Sequence, residues 1–367
     1  MNKKVDFLPF KVGTVFNPID LQSLDLRPKF KTIEIKYPSR LNAMALDPSK
    51  IAANDNLQYS PGEIILKIQI YKKVKVSIID NGGIIIDEKS KRHSLIKHAT
   101  LLMRKALNVS DGYGIEVENE NEIRHAGLGS SSGLISSVAC AINEIYGNPI
   151  SPDDLIQYLA QNHGEEIDGE PNLLSPVQCI GGSAAAGLSS GGLIVLAGKN
   201  RVIAHMNIGN EYAAVIGIPS DFKELDSQDL LKEEIKNFDK FIQCGKKYGS
   251  LISYRMLHSV LPAMTQGDIR PLGDLVFDYR FDMGSIENCS YCYSRLPEIA
   301  QSIRFLKEDG VADMLAISSV GPAFFAITKQ PEKCSEIFQR EGMVTHTAEI
   351  DNQRYQVLNR SIFTKKL

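Results

Sequence analysis

Apolar and polar residues alternate with a period of two in several short runs of the first 120 residues. Such alternation is typical of strands that are buried on one face. The Asn81-Gly82-Gly83 tripeptide between two of these runs predicts a tight hairpin turn. Residues 39–47 are expected on a strand edge or in a loop. The pattern therefore predicts an antiparallel meander, with strands at residues 32–37, 64–70, 74–79, 84–86 and 114–118.

Helical spacing of apolar residues first appears near residue 94 and recurs along the chain. The Ser151-Pro152 pair followed by two acids is typical of a helix start, with Ser as N-cap and Pro in the first turn. Helices and strands in mixed order predict an α+β protein. The predicted helices are 94–107, a helix ending at 145, 151–162, 228–237, 250–264 and 297–308; the later strands are 181–187, 191–196, 212–218, 314–317 and 324–328.

The length of 367 residues exceeds what one hydrophobic core usually supports, so two domains are expected. The Gly198-Lys199-Asn200 stretch is the predicted boundary. Residues 1–30 contain three prolines and no sustained periodicity, and they are interpreted as an extension over the body. The predicted division is therefore 1–30 extension, 31–198 N-terminal domain and 199–367 C-terminal domain.

Composition and charge favour an ordinary globular protein that binds neither nucleic acid nor membrane. Hydrophobic residues make up 43%, charged residues 23%, and the net charge is -3 with a pI near 6.2. No run of 18 apolar residues and no signal-peptide pattern is present, so a cytoplasmic location is expected. Six dispersed cysteines fit reduced thiols, and Cys289-Ser-Tyr-Cys292 is a lone pair without a second pair at metal spacing.

The most informative stretch is the Gly/Ser-rich turn at residues 127–132, which leads directly into a helix. A helix N-terminus offers unpaired N–H groups and positive dipole charge to an anion, and glycine lets the backbone approach it closely. Leu134, Val138, Ile142 and Ile145 form the apolar stripe that would seat this helix. The pattern predicts a phosphate site, and the alternative is a polar loop that caps an ordinary helix.

Four carboxylates follow within residues 165–170. Beside a phosphate-binding turn they suggest a divalent cation, because a metal that bridges phosphate oxygens prefers hard oxygen ligands. The predicted ligands are Ser130, Ser131, Glu165 and Glu166. A solvated acidic loop is the alternative.

Two distant segments together resemble the GHMP superfamily of small-molecule kinases, which includes galactokinase, homoserine kinase and mevalonate kinase. The turn at 127–132 looks like its phosphate loop, Ser318-Ser-Val-Gly-Pro322 like its third motif, and Pro38-Ser39-Arg40 like the start of its first motif. The resemblance implies a ribosomal-S5-like N-terminal domain and a ferredoxin-like C-terminal domain, with ATP phosphates over the loop. The binding positions it implies are His125, Gly127, Leu128, Gly129, Ser130, Ser131, Ser132, Ser319 and Gly321.

The branch within this superfamily stays open. His125-Ala-Gly-Leu-Gly and Leu261-Pro-Ala resemble β-ribofuranosylaminobenzene 5'-phosphate synthase, which implies phosphoribosyl pyrophosphate as substrate and a role for His125 on its pyrophosphate or on the acceptor. Ser131-Ser132 departs from the synthase pattern and agrees with kinases. The segment from Gly169 to Pro176 looks like the corresponding segment of homoserine kinases.

The first hypothesis is therefore an ATP- and Mg²⁺-dependent kinase of a small hydroxylated metabolite, with Arg40, Ser131 and Glu166 as catalytic residues. A homodimer is among the expected assemblies. Ser175 stands where mevalonate kinase-like members carry an Asp base, yet phosphoryl transfer depends mainly on positioning and electrostatics. The alternatives are the phosphoribosyl pyrophosphate-dependent synthase and a nucleotide-binding pseudoenzyme.

Overall fold

The computed structural model describes residues 26–51, 60–119, 127–167, 173–177, 179–223 and 227–363. Strands and helices alternate there in mixed order, which confirms the α+β class. Within these ranges no helix is both long and apolar enough to cross a lipid bilayer. Most of the predicted extension, residues 1–25, lies outside the described residues.

The elements in the described part are numbered in chain order. The strands are β1 Thr32–Ala45, β2 Glu63–Ile79, β3 Ile84–Ile86, β4 Gly112–Asn119, β5 Gly164–Glu166, β6 Leu174–Pro176, β7 Leu193–Ala197, β8 Arg201–Met206, β9 Ala213–Pro219, β10 Met314–Ile317, β11 Phe324–Thr328, β12 Met343–Glu349 and β13 Gln356–Ser361. The helices are α1 His93–Leu107, α2 Ser130–Ile145, α3 Pro152–Gln161, α4 Gly182–Leu188, α5 Ser227–Lys236, α6 Phe238–Arg255, α7 Leu261–Thr265, α8 Arg270–Phe277, α9 Ser285–Asn288, α10 Leu296–Ile303, α11 Phe305–Glu308 and α12 Pro331–Arg340, with π-helical turns at Met256–Val260 and Asp278–Asp282.

The first sheet is built around the long strand β2. β1 pairs with β2 in antiparallel fashion along nearly its whole length, and residues 72–79 and 63–66 of β2 pair with β4 and β7 respectively. The predicted strands 64–70 and 74–79 are therefore one strand. Pro38 does not end β1, because a register shift between Pro38 and Ser39 accommodates the proline and the strand continues to Ala45.

Helix α2 is the central helix of this half of the molecule. It packs against α1, α4 and the sheet, and all its residues except Ser130 and Ser132 are buried. The predicted apolar stripe from Leu134 to Ile145 is fully buried, as expected. A helix so enclosed holds its N-terminus firmly, which fixes the loop that precedes it.

The second sheet has four antiparallel strands in the order β10-β11-β9-β12. One of its faces shares a core with the first sheet, where Leu41 and Leu66 pack in the same cluster as Ile216 and Phe325. The opposite face packs on helices α10 and α12, through residues such as Phe338. The two sheets are thus joined by buried apolar side chains.

Two further predicted elements differ from the structure. Strand β3 pairs in parallel with β4 and does not form a hairpin with β2, because β4 already occupies that edge of β2. Residues 181–187 form helix α4 where a strand was predicted. The small residues there do serve close packing: a Cβ on Gly187 would lie 2.0 Å from the Tyr37 ring.

Helix α3 begins as predicted, with the Ser151 hydroxyl accepting a hydrogen bond from the Asp154 N–H. The predicted helix 250–264 corresponds to the end of α6, a π-helical turn and α7, and 297–308 corresponds to α10 and α11. Strands β8 and β13 both follow residue 198 and belong to the first sheet. The division into domains near residue 198 stays a prediction.

Candidate functional site

The Gly/Ser turn adopts a conformation that requires glycine at two positions. Gly127 and Gly129 have φ values of +83° and +68°, a region that other L-residues rarely adopt. A Cβ on Gly127 would lie 2.2 Å from the carbonyl oxygen of Ser318, and one on Gly129 would lie 2.6 Å from Ser183 Oγ. The turn is therefore held close to the surrounding backbone and leads into the first turn of α2.

The turn that begins at Ser318 supports this loop directly. Ser318 Oγ donates a hydrogen bond to the carbonyl oxygen of Gly127 at 2.7 Å and accepts one from the Asn42 N–H at 3.0 Å. The Ser319 N–H donates to the carbonyl oxygen of Asn42 at 3.1 Å, so β1, the loop and this turn are joined. Three segments that lie far apart in the sequence thus form one structural unit.

Arg40 lies beside the loop at the edge of β1. Its Nη1 donates to the carbonyl oxygen of Gly127 at 2.9 Å. Its Nε is buried and has no hydrogen-bond partner among the described residues. A guanidinium with an unused donor next to a phosphate-type loop can bind an anion there.

A buried arginine that the sequence analysis missed lies under the first turn of α2. Arg92 is 7% exposed, and its guanidinium donates to Glu166 Oε2 at 2.6 Å, to Ser131 Oγ at 2.7 Å and to Ser130 Oγ at 3.2 Å. Ser94 also donates to Glu166. The one sequence signal was a positive charge just before helix α1, where the macrodipole disfavours it.

The two predicted carboxylates therefore have different surroundings. Glu166 is engaged by Arg92 and Ser94, whereas Glu165 lies 3.1 Å from His163 through Oε1. Glu165 Oε2 is buried and lacks a hydrogen-bond partner in the described part of the chain, although Arg92 Nη2 is 3.5 Å away. Burial alone would raise the pKa of Glu165, but His163 and the charge of Arg92 outweigh it and lower the pKa to about 2.

These residues fit a magnesium ion only as minor ligands. Within the described ranges, no three His, Cys, Asp or Glu side chains are grouped so that they could hold a metal ion. Mg²⁺ commonly keeps several waters and takes further oxygens from bound phosphates. The partnerless oxygen of Glu165 fits such a role. Arg92 already engages Glu166 and both serine hydroxyls, but a hydroxyl oxygen that accepts from Arg92, such as that of Ser131, keeps a second lone pair for a cation.

A second group of buried polar side chains braces the site from β1. Asn42 Nδ2 donates to Glu63 Oε2 at 2.5 Å, and Glu63 Oε1 accepts from the Gly182 N–H at 2.7 Å. The Arg280 guanidinium, 3% exposed, donates to the carbonyl oxygens of Ala43 at 2.7 Å and Ser319 at 2.9 Å. Arg280 thereby ties the helices of the second half of the chain to β1.

The Gly/Ser turn, Arg40, Glu165, Asn42, Glu63 and Arg280 line one cavity of about 290 Å³. Of the predicted site residues, Arg40, Gly127–Ser132, Glu165, Ser319 and Gly321 line it. Glu166 lies behind it on Arg92, and His125 falls outside the described residues. Further lining residues that were not predicted include Asn42, Glu63, His163, Cys179, Ser183, Leu230, Glu234, Phe241, Tyr279, Arg280 and Cys289.

Comparisons with known proteins identify the same loop and fold. Residues 94–182 match the family model of the GHMP kinases N terminal domain. No curated protein sequence matches the chain.

Solved structures match over most of the chain. Homoserine kinase from Cytophaga hutchinsonii is 14% identical in sequence, and the match has a TM-score of 0.57. It covers 92% of this chain and 100% of the homoserine kinase chain. Lactococcus lactis galactokinase, complexed with galactose, is 11% identical, with a TM-score of 0.61. The match covers 90% of this chain and 96% of the galactokinase chain. A protein named MDDEF, in complex with MVAPP, AMPPCP and magnesium, is 15% identical, with a TM-score of 0.56. The match covers 89% of this chain and 99% of the MDDEF chain. At these identities the likeness establishes the fold, which is the two-domain GHMP fold.

Proposed function

We propose that this protein is an ATP- and Mg²⁺-dependent phosphotransferase of the GHMP type that acts on a small hydroxylated metabolite. One observation carries the proposal: the glycine-dependent turn before α2 opens into the cavity with the partnerless Nε of Arg40 beside it. The loop, the helix terminus and the guanidinium all favour a bound polyphosphate. The fold shared with homoserine kinase and galactokinase, and the AMPPCP and magnesium held by one of the matching structures, support the same interpretation.

In this proposal the chain positions the phosphates and supplies charge. The N–H groups at the start of α2 contact the phosphates, and Arg40 neutralises charge on the transferred group. Arg92 holds the Ser130 and Ser131 hydroxyls in place through its own contacts with the acidic pair. Glu165 and Ser131 would hold Mg²⁺, which supplies charge neutralisation between phosphate oxygens.

The position of Ser175 is compatible with this chemistry. Ser175 in β6 pairs directly with Glu165 in β5, so the nearest carboxylate is on the neighbouring strand. Glu165 is engaged by His163, and its low pKa keeps it ionised, which suits an anionic ligand for a cation better than a proton acceptor. Transfer in this protein would therefore rest on positioning and electrostatic stabilisation.

The proposal is tested by ADP binding in the presence of Mg²⁺ and by ATP-dependent phosphorylation of small alcohols, followed by phosphorus NMR. Ser131→Ala removes a hydroxyl at the loop and should lower ATP turnover about 10- to 100-fold, the range expected for a hydrogen bond to a charged group. Ser137→Ala is the matched control, because Ser137 is buried on the same helix and donates only to the carbonyl oxygen of Leu134.

The alternatives predict different results in the same assays. A pseudoenzyme binds ADP without any turnover of a broad panel of alcohols. A phosphoribosyl pyrophosphate-dependent synthase releases pyrophosphate from that compound without ATP. Full ATP turnover by Ser131→Ala, or no ADP binding by the wild-type protein, would contradict the proposal.

A further inference from the structure

Helix α5 contributes a carboxylate to the lining of the cavity, and this part of the lining is called the α5 wall. Leu230 and Glu234 are four residues apart on α5, so they share one helix face, and both line the cavity. The carboxylate of Glu234 makes no hydrogen bond or ion pair with any described residue, whereas its backbone carbonyl accepts a hydrogen bond from the Asn237 N–H at 3.0 Å. Phe241 and Tyr279 line the same wall, which is otherwise largely apolar.

The two other carboxylates that line the cavity already have partners. Glu63 accepts from Asn42 and from the Gly182 N–H, and Glu165 is paired with His163 and Arg92. Glu234 therefore differs from the two other lining carboxylates, because no described residue offers it a positive charge or a donor.

Neither of the two lining arginines donates a hydrogen bond to the Glu234 carboxylate. All three nitrogens of the Arg280 guanidinium donate to protein acceptors, among them the carbonyl oxygens of Ala43, Ser319 and Asn42. Arg40 is held at the loop by Gly127. Among the described residues, the Glu234 carboxylate on α5 thus has no cation bound to it directly.

We propose that Glu234 is the specificity-determining residue of the acceptor subsite, and that it pairs with an ammonium group, so that the acceptor is an amino alcohol. The inference rests on the proposed phosphotransferase function and narrows its substrate class. A carboxylate in an apolar wall is stabilised by a cationic ligand, whereas a second anion would be repelled. Acceptors with a carboxylate or phosphate at that end are therefore excluded.

The ionisation of Glu234 agrees with this arrangement. Burial raises the pKa of Glu234 to about 7, and the ionisable groups near it are Cys289, Tyr291 and Cys292, none of which supplies a positive charge. Burial raises the pKa of both cysteines to about 12, so they stay neutral thiols. An ammonium ligand would supply the missing counter-charge and keep Glu234 ionised.

The test uses three probes of equal chain length that carry a hydroxyl at one end: aminobutanol, butanediol and hydroxybutyrate. Their affinities for the full-length protein saturated with ADP and Mg²⁺ are measured by calorimetry at about pH 8. We expect aminobutanol to bind at least about tenfold more tightly than butanediol, the equivalent of one charge-assisted hydrogen bond. Hydroxybutyrate should bind most weakly.

Glu234→Gln should abolish the preference for the amine while ADP affinity stays unchanged, and Glu234→Asp should retain part of it. The inference is overturned if butanediol or hydroxybutyrate binds as tightly as aminobutanol, if the preference survives in Glu234→Gln, or if aminobutanol does not bind to protein that binds ADP. Failure of the wild-type protein to bind ADP would overturn the proposed function and this inference together. Tight ADP binding with a preference for the acid would overturn this inference alone.

Discussion

Ser318 Oγ donates a 2.7 Å hydrogen bond to the carbonyl oxygen of Gly127, a residue 191 positions earlier in the chain. The carbonyl oxygen of Ser318 lies only 2.2 Å from the point that a Cβ on Gly127 would occupy. The turn in the second half of the chain thus fixes the position of the loop in the first half. Glycine is required at residue 127 both for its positive φ and for this contact.

Gly127→Ala should therefore weaken ADP binding by at least about tenfold and lower the free energy of unfolding by about 1–3 kcal/mol, since an alanine must strain the backbone and push the two segments apart. Calorimetry with ADP and urea unfolding measure the two effects. Gly342→Ala is the matched control: its φ of +78° is similar to that of Gly127, but nothing lies within 4 Å of the added Cβ. Wild-type ADP affinity in Gly127→Ala would contradict a close-packed loop.

Much of the candidate site follows from local sequence. The Gly/Ser turn and the apolar stripe of α2 are short-range patterns, and the Ser318 turn lies between two apolar strands that the pattern predicted correctly. The contact between these segments depends on how the two sheets pack, which no local pattern describes. The resemblance of Ser318-Ser-Val-Gly-Pro322 to a GHMP motif is the one sequence indication that this turn belongs to the site.

Other features had no clear local signal. Arg92 is an isolated basic residue before a helix, and Glu234 lies in the charged run Lys232-Glu-Glu-Ile-Lys236, which is typical of an exposed helix face. The burial of Arg92 and the position of Glu234 at the cavity become evident only when the chain is folded. The wrong prediction at residues 181–187 has a similar origin. Small residues indicate close packing in either a strand or a helix, and the close approach of Gly187 to Tyr37 is evident only in the folded chain.

The second prediction concerns the ion pair between Arg92 and Glu166. Arg92→Met should lower the free energy of unfolding by about 3 kcal/mol, because it leaves a largely buried carboxylate without its cation. The double variant Arg92→Met/Glu166→Gln should recover part of that loss, which urea unfolding in a double-mutant cycle measures. Additive losses would show that the two side chains are not coupled.

The third prediction follows from the raised pKa of Glu234. Because its pKa is about 7 in the folded state and near 4.5 in the unfolded chain, the folded state holds the proton more tightly. The wild-type protein should therefore lose stability as the pH rises from about 4.5 to 7, and Glu234→Gln should not share this loss. We expect Glu234→Gln to raise Tm by a few degrees at about pH 8 and to leave it unchanged at about pH 4.

The control for that measurement is Glu233→Gln. Glu233 precedes Glu234 in α5, and its partly exposed side chain forms an ion pair with Lys236. It should not raise Tm at about pH 8. A lower Tm for Glu234→Gln at that pH would mean that the carboxylate has a stabilising partner in the folded protein.

The last prediction concerns Arg280, which ties the two halves of the chain together at the cavity. Arg280→Met leaves the carbonyl oxygens of Ala43 and Ser319 without their donor, and each such buried group costs about 1–3 kcal/mol. We expect urea unfolding to report a loss of at least about 2 kcal/mol in the free energy of unfolding. ADP affinity should also fall, because Ser319 belongs to the turn that supports the phosphate loop. Arg340→Met, at an arginine with a 76% exposed side chain that pairs only with Glu336, should change neither quantity. Equal stability of Arg280→Met and the wild type would contradict the role of Arg280 as a tie between the two halves.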